Sequence, residues 1–304
     1  MSATAEPVVS ELISLLSLER LEDNLFRGQS RDIGTKYVFG GQVLGQALAA
    51  AQATVDNGRQ AHSLHAYFLR AGNIDHPIVY DVDRTRDGGS FSVRRVTAIQ
   101  HGKVIFFCAA SFQQREDGAE HQSAMPVVPP PEDIEPTPPL AAEVLEKLPA
   151  KVQRWLSRGG PFEFSPCVSA RRTQAAKAPA VPADVAAPER PGRRRRRPAP
   201  GLAGLCLGFP AVGHLHVSAR HQLLHAECAD GLARSRTVVP PPVPHRRLAA
   251  VFARQPHRTG SRGLARGQFF TRDGVLVAST TQEGLIRVVP DGSAIAVPAN
   301  DSPC

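Results

Sequence analysis

The chain has 304 residues, 36 Lys and Arg against 28 Asp and Glu, a formal net charge of +8 and 27 prolines. The positive charge is confined: from Pro166 to Arg258 there are 15 Arg and 1 Lys against 4 acidic residues (Asp184, Glu189, Glu227, Asp230), a surplus of 12 that leaves −4 for all the rest. This distribution excludes a basic binding face spread over a fold, and no apolar run reaches the ~18 residues that a membrane-spanning helix needs.

Apolar residues at Val9, Leu12, Ile13, Leu16 and Leu18 predict an amphipathic helix over Glu6–Leu21. Phe39-Gly40-Gly41-Gln42 leads into a helix rich in small residues, Val43–Ala53, which stops at the turn Asp56-Asn57-Gly58. Strands are expected at Ser63–Leu69, Ile78–Asp83, Phe91–Ile99 and Val104–Phe112, the last two joined by a tight turn at His101-Gly102. A small-residue helix followed by a meander predicts an α+β domain in which a curved antiparallel sheet wraps one central helix.

Pro126–Pro139 reads as a Pro-rich acidic linker, and Leu140–Leu156 as a helix. Ordered patterning returns at Gly263–Thr271, a turn at Arg272-Asp273-Gly274, then Val275–Thr281 and Gln282–Val289. Gly102–Phe107 and Gly274–Val277 take similar places in the two halves, which hints at an internal repeat.

The stretch between reads differently. Its 13 prolines and 3 cysteines, with the run Arg193–Arg197, predict no regular core. The arginine run has no interleaved aromatic residues for base stacking, so no specific nucleic-acid partner is expected. His214 and His216, with Cys206 and Cys228 nearby, lack zinc spacing, so no metal and no cofactor is expected. Five scattered cysteines fit a reducing cytoplasm better than a disulfide framework, and Met1–Val8 has no leader pattern.

Several segments together resemble the type II acyl-CoA thioesterases, a family of two fused hotdog domains: Phe26-Arg27-Gly28, Phe39–Ala47, His62–Arg70, Arg262–Gly267 and Asp273–Gly284. The resemblance implies a hotdog domain at 7–125, the linker at 126–139, a second hotdog at 140–289 degraded at about 166–258, and a tail at 290–304. It implies hydrolysis of an acyl-CoA substrate, and homo-oligomers as in the family. It also implies a water-activating set of an aspartate, a hydroxyl residue and a glutamine, of which Gln282 alone is recovered.

The family's second domain has a helix ending tyrosine-alanine-serine-aspartate-phenylalanine. Later come a strand with aspartate-histidine and the word tryptophan-phenylalanine-histidine-arginine. None of these occurs between 166 and 258. A change of reading frame recovers them. Gly208-Phe209-Pro210 written GGA TTT CCG contains GAT TTC one base on, aspartate-phenylalanine. Gly231–Arg236 written GGC CTC GCT CGA TCA CGC contains alanine-serine-leucine-aspartate-histidine, and Val238–His245 yields tryptophan-phenylalanine-histidine-arginine. The same offset recovers two further words at Gln222–Glu227 and Arg247–Phe252. In this reading the frame slips after Phe164 and returns near Thr259. The lost aspartate straddles Gly208 and Phe209, and the lost hydroxyl residue straddles Leu232 and Ala233. The chain as written is then an impaired thioesterase, or else an inactive homologue or acyl-CoA-binding remnant.

Other polar positions have simpler readings. Gly40, Gly41 and Gln42 could form an anion or acyl site at a helix start, or serve close helix packing. His62 and His65 could alternate across a strand, and Asp56 could stand in for the lost acid or be an ordinary turn residue. A first hotdog left alone would expose an unpaired sheet edge.

Overall fold

The computed structural model describes residues 5–32, 37–56, 58–134, 146, 163–166, 183–187, 233–238, 248–259 and 262–285. Helix α1 (Ala5–Leu16) is followed by β1 (Glu19–Arg20) and β2 (Leu25–Gly28), then α2 (Gly40–Ala53). The meander is β3 (Arg59–Phe68), β4 (Ile78–Asp87), β5 (Phe91–Gln100) and β6 (Lys103–Gln114). The second half contributes β7 (Glu163–Pro166), β8 (Ala183–Ala187), β9 (Ala233–Val238), β10 (Leu248–Thr259), β11 (Arg262–Thr271) and β12 (Leu276–Leu285). All twelve strands form one sheet in the order β1-β2-β4-β5-β6-β3-β9-β12-β11-β10-β8-β7, with every pairing antiparallel.

The order is a repeat. Read outward from the central β3–β9 pair, β3-β6-β5-β4-β2-β1 on one side answers β9-β12-β11-β10-β8-β7 on the other. The hairpins β5–β6 and β11–β12 occupy equivalent places, as the two glycine-led segments indicate. His101 (φ 49°) and Gly102 (φ 70°) both take left-handed backbone, the geometry of a tight hairpin turn matched to strand twist. At the second hairpin only Gly274 does so (φ 83°).

In the first half the sheet curves around α2 in the hotdog arrangement. Val43, Leu44, Ala47, Leu48, Ala50 and Ala51 pack on Leu64, Ala66, Tyr80, Val82, Val96, Ala98, Phe106, Cys108, Ala110 and Phe112. Three alanines on the helix allow the strands to come close. Polar groups in this core are satisfied. Gln46 donates from Nε2 to the carbonyls of Leu15 (2.8 Å) and Gln29 (2.9 Å) and accepts from the Tyr80 hydroxyl at 2.7 Å. Burial pushes the Tyr80 phenol well above its ordinary range, so it remains a donor. Gly28 is bare because a Cβ there would lie 2.7 Å from Gln46 Oε1. Tyr80→Phe strands that Gln46 oxygen in the core and should cost about 1–3 kcal/mol, measured as a lowered urea midpoint.

The first helix ends earlier than Leu21. The amides of Leu21 and Glu22 turn back to the Leu25 carbonyl (2.8 and 3.1 Å), and Glu19–Arg20 joins β2 instead. The spans Val275–Thr281 and Gln282–Val289 are not two elements: β12 runs unbroken over Leu276–Leu285, held on both sides, and residues 286–289 lie outside the described residues. Of Leu140–Leu156 only Glu146 is described, and it is helical.

Within 166–258 strands β8, β9 and most of β10 are described, despite the prolines. Ladder hydrogen bonds come from the backbone, and the prolines on the described strands sit where sheets tolerate them. Pro166 lies on the edge strand β7, and Pro256 falls at the register shift between Arg254 and His257. The first hotdog has no bare edge at β3, because β9 pairs along it from Ser63–Val238 to Phe68–Ala233. Residues 188–232, which precede β9 as α2 precedes β3, lie outside the described residues.

Candidate functional site

Gln282 stands in the middle of β12, opposite Ser235 of β9 and Ala265 of β11. Side chains alternate across a strand, so Gln282 shares its face with Ala278, Thr280 and, on β11, Ala265, Gly267 and Phe269. These neighbours are buried while Gln282 is half-buried. This is the face that continues the α2-covered side of the first half, since Ser235 pairs in turn with Ala66. Among the described residues the Gln282 amide makes no hydrogen bond.

Most of these neighbours are small. Gly267 leaves space for Thr280, whose Oγ1 would sit 2.7 Å from an added Cβ. The register also brings Thr237 of β9 opposite Thr280, so β9 places hydroxyl-bearing residues 235 and 237 beside β12. The sequence alone placed the lost hydroxyl at Leu232 and Ala233. Ser235 and Thr237 escape such a reading because nothing in the local pattern fixes the register of β9. Of that pair of positions, Ala233 is on β9 and Leu232 lies outside the described residues.

No carboxylate shares this row. Among β9, β11 and β12 the sole acidic residue is Glu283, which alternates to the opposite face and pairs with Arg262 at 3.2 Å. Gly208 and Phe209, where the aspartate word was interrupted, lie outside the described residues.

The first-half candidates resolve into packing. Gly40 and Gly41 start α2 after Phe39, which supplies no side-chain cap. A Cβ on Gly40 would lie 2.9 Å from the Phe68 ring, and one on Gly41 would strike the Phe39 ring. Gln42 is consumed by structure: it donates to the Gln29 carbonyl at 3.1 Å and accepts from the Arg31 amide at 3.3 Å. His62 and His65 do not alternate. A register shift between Ala61 and Ser63 puts His62 within hydrogen-bonding distance of Ser111 (2.8 Å) and edge-on to Phe91, on the outer face with exposed His65. Burial lowers the His62 pKa. Asp56 follows the α2 terminus, where its carbonyl accepts from the Arg59 amide at 3.4 Å. Cys108 is buried in the core and its thiol is pushed up to about 12, so it is chemically quiet. Among the described residues no group of three or more His, Cys, Asp or Glu could hold a metal, and no helix is long and apolar enough to cross a membrane.

Two family models match the chain. One, described as the acyl-CoA thioesterase N-terminal domain, covers 28–113, and one described as acyl-CoA thioesterase covers 250–285. Residues 114–249 fall in neither range. Acyl-CoA thioesterase 2 of Haemophilus influenzae is 36% identical over 290 residues, covering 92% of this chain and 98% of that protein. Human acyl-coenzyme A thioesterase 8 is 35% identical over 307 residues, covering 92% and 90%. The crystal structure of an acyl-CoA thioesterase II TesB2 from Mycobacterium marinum superposes with a TM-score of 0.72 at 31% identity, covering 92% of this chain and 99% of that one.

Proposed function

The chain belongs to the type II, double-hotdog acyl-CoA thioesterase family, and on that premise we propose that it is built to hydrolyse fatty acyl-CoA to free fatty acid and CoA, and that as written it does so poorly. In this reaction a water oxygen attacks the thioester carbonyl, the carbonyl electron pair moves onto oxygen, and the tetrahedral intermediate expels the CoA thiolate. The attacking water must lose a proton, and the departing sulfur gains one. An uncharged amide can direct the water and support the intermediate's oxygen, but it cannot act as base at neutral pH.

The observation that carries this reading is the β9–β12–β11 row. Gln282 is central and half-buried, its amide makes no hydrogen bond among the described residues, and the row of described strands holds no carboxylate. The gap between the two family matches agrees with it, since most of the interrupted words fall between residues 114 and 249. The base would come from the aspartate that the alternative frame restores at codons 208 and 209.

Gln282→Ala separates a catalytic glutamine from a merely structural one. In a chain with the alternative frame restored, thiol release should fall by about 10²–10³ in kcat with KM little changed. In the chain as written, the same substitution should alter the residual rate only a few-fold, because the water it directs has no base. An unchanged kcat in the restored chain removes Gln282 from the mechanism.

A further inference from the structure

At one end of the first hotdog, β3 leads into β4 through residues 69–77, and β5 turns back into β6 at His101-Gly102. β4 and β5 are neighbours, with Val79 paired to Ile99, so the loop and the turn lie side by side. Each contributes an exposed histidine, His76 from the loop and His101 from the turn. Their ring centroids are 4.5 Å apart and their planes are inclined at 70°. Among the described residues neither ring makes a hydrogen bond. The proposed hydrolysis uses neither.

The backbone that carries the two rings is fixed from beneath. Gln100 precedes His101 and is 5% exposed. Its Oε1 accepts from the Asn73 amide (2.8 Å), and its Nε2 donates to the carbonyls of Asn73 (2.9 Å) and His76 (2.8 Å). The Ser30 hydroxyl donates to the same His76 carbonyl at 2.7 Å. One buried amide therefore ties the loop of His76 to the strand that ends at His101, and the pair is held together before any ligand arrives. His101 has φ 49°, a left-handed backbone that glycine adopts at lower cost. Neither the turn nor the core calls for an imidazole at this place.

We propose that His76 and His101 chelate one transition-metal ion that favours a right angle between nitrogen ligands, Cu²⁺ or Ni²⁺. The spacing of the rings selects this class of ion. A ring nitrogen lies about 1.1 Å from its centroid and a metal–nitrogen bond is about 2.0–2.1 Å, so two imidazoles at a right angle hold their centroids about 4.5 Å apart, and at the tetrahedral angle of Zn²⁺ about 5.1 Å. Both side chains are exposed, so rotation about χ2 aims one nitrogen of each at the shared ion. Among the described residues no third His, Cys, Asp or Glu completes a cage, so water fills the remaining positions and the ion is exchangeable.

The test reads each histidine separately, because the chain has 11. The full chain is treated with diethyl pyrocarbonate while Ni²⁺ is titrated from substoichiometric to excess, and mass spectrometry follows modification at every histidine. The rates at His76 and His101 should fall together by about tenfold or more, while that at exposed His65 holds. In His101→Gly the remaining His76 should lose its protection, and in His76→Ala the remaining His101 should lose its own. Both variants should fold, since glycine suits the turn and His76 is exposed. Cu²⁺ should act at lower concentration than Ni²⁺, and Zn²⁺ should protect less than either. No protection at either residue would mean that the rings make an aromatic contact only. Protection of one histidine that survives loss of the other, equal protection of His65, or Zn²⁺ acting below Ni²⁺ likewise overturns the proposal. None of these results bears on thiol release, so the hydrolytic reading stands or falls separately.

Discussion

Thiol release from acyl-CoA should rise by about 10²–10⁴-fold in kcat when residues 166–258 are replaced by their alternative reading frame and nothing else is changed. The size follows from the chemistry that is missing. Water is a poor nucleophile until a base takes its proton, and the β9–β12–β11 row offers an amide and hydroxyl-bearing residues but no carboxylate. The restored frame also brings back a helix word before β9, so part of any gain could come from folding. A third chain separates the two contributions. It carries the restored frame with only the regained aspartate changed to asparagine. It should keep the restored chain's circular dichroism and lose most of the gain. If it matches the restored chain in rate, the carboxylate is not the base. If the chain as written equals both, the loss of a catalytic group is refuted.

The second large effect is on stability and centres on Arg94, which is 1% exposed. Its guanidinium donates to Thr54 Oγ1 (2.9 Å), the Thr54 carbonyl (3.0 Å), the Arg86 and Val93 carbonyls (3.1 and 3.0 Å) and Asp87 Oδ1 (2.7 Å). Thr54 is the C-cap of α2, so a buried positive charge sits at the negative end of the central helix and ties it to β5. Arg94→Ala removes a set of satisfied bonds and leaves a void, and should cost about 2–4 kcal/mol, read from urea unfolding of the full chain. Asp87→Asn should cost far less, about 1 kcal/mol or under, because the Asp87 side chain is 50% exposed and water replaces its bond. Hydrogen bonds from Ser92 and then Arg94 hold the Asp87 carboxyl below its ordinary range. A depressed carboxylate contributes stability that is present above its unfolded pKa and lost as pH falls through the lowered folded value. The Arg94–Asp87 contribution should therefore persist at neutral pH and fade on acidification below the ordinary carboxylate range. Equal losses for Arg94→Ala and Asp87→Asn would mean that the ion pair, and not the helix cap, is what Arg94 supplies.

Much of the first half is legible in the sequence because its patterns are local. The expected strands Phe91–Ile99 and Val104–Phe112 fall within β5 and β6, and His101-Gly102 marks the turn between them, although the buried face of β5 carries Ser92 and Arg94 while Phe91 is exposed. The small residues of Gly40–Ala53 announce a helix that strands approach closely. What escapes is set by distant partners. The register shift beside His62 turns that residue to the outer face, and no neighbouring residue signals it. The pairing of β9 with both β3 and β12 closes the sheet, and it arises from backbone hydrogen bonds to strands about 170 and 40 residues away in the chain. For the site, the family resemblance is what points to Gln282, the residue proposed to direct the water, whereas its central position on β12 and its row partners Ser235 and Ala265 follow from register alone.

The most direct test of the claim that a water-activating carboxylate is encoded but not translated is to sequence the gene from codon 160 to codon 265 and align it base by base with close relatives. Two insertions or deletions of opposite sign are expected, one soon after the codon for Phe164 and one near that for Thr259, with GAT or GAC spanning codons 208 and 209 in the displaced frame. A gene that aligns with its relatives through this region without any such pair contradicts it.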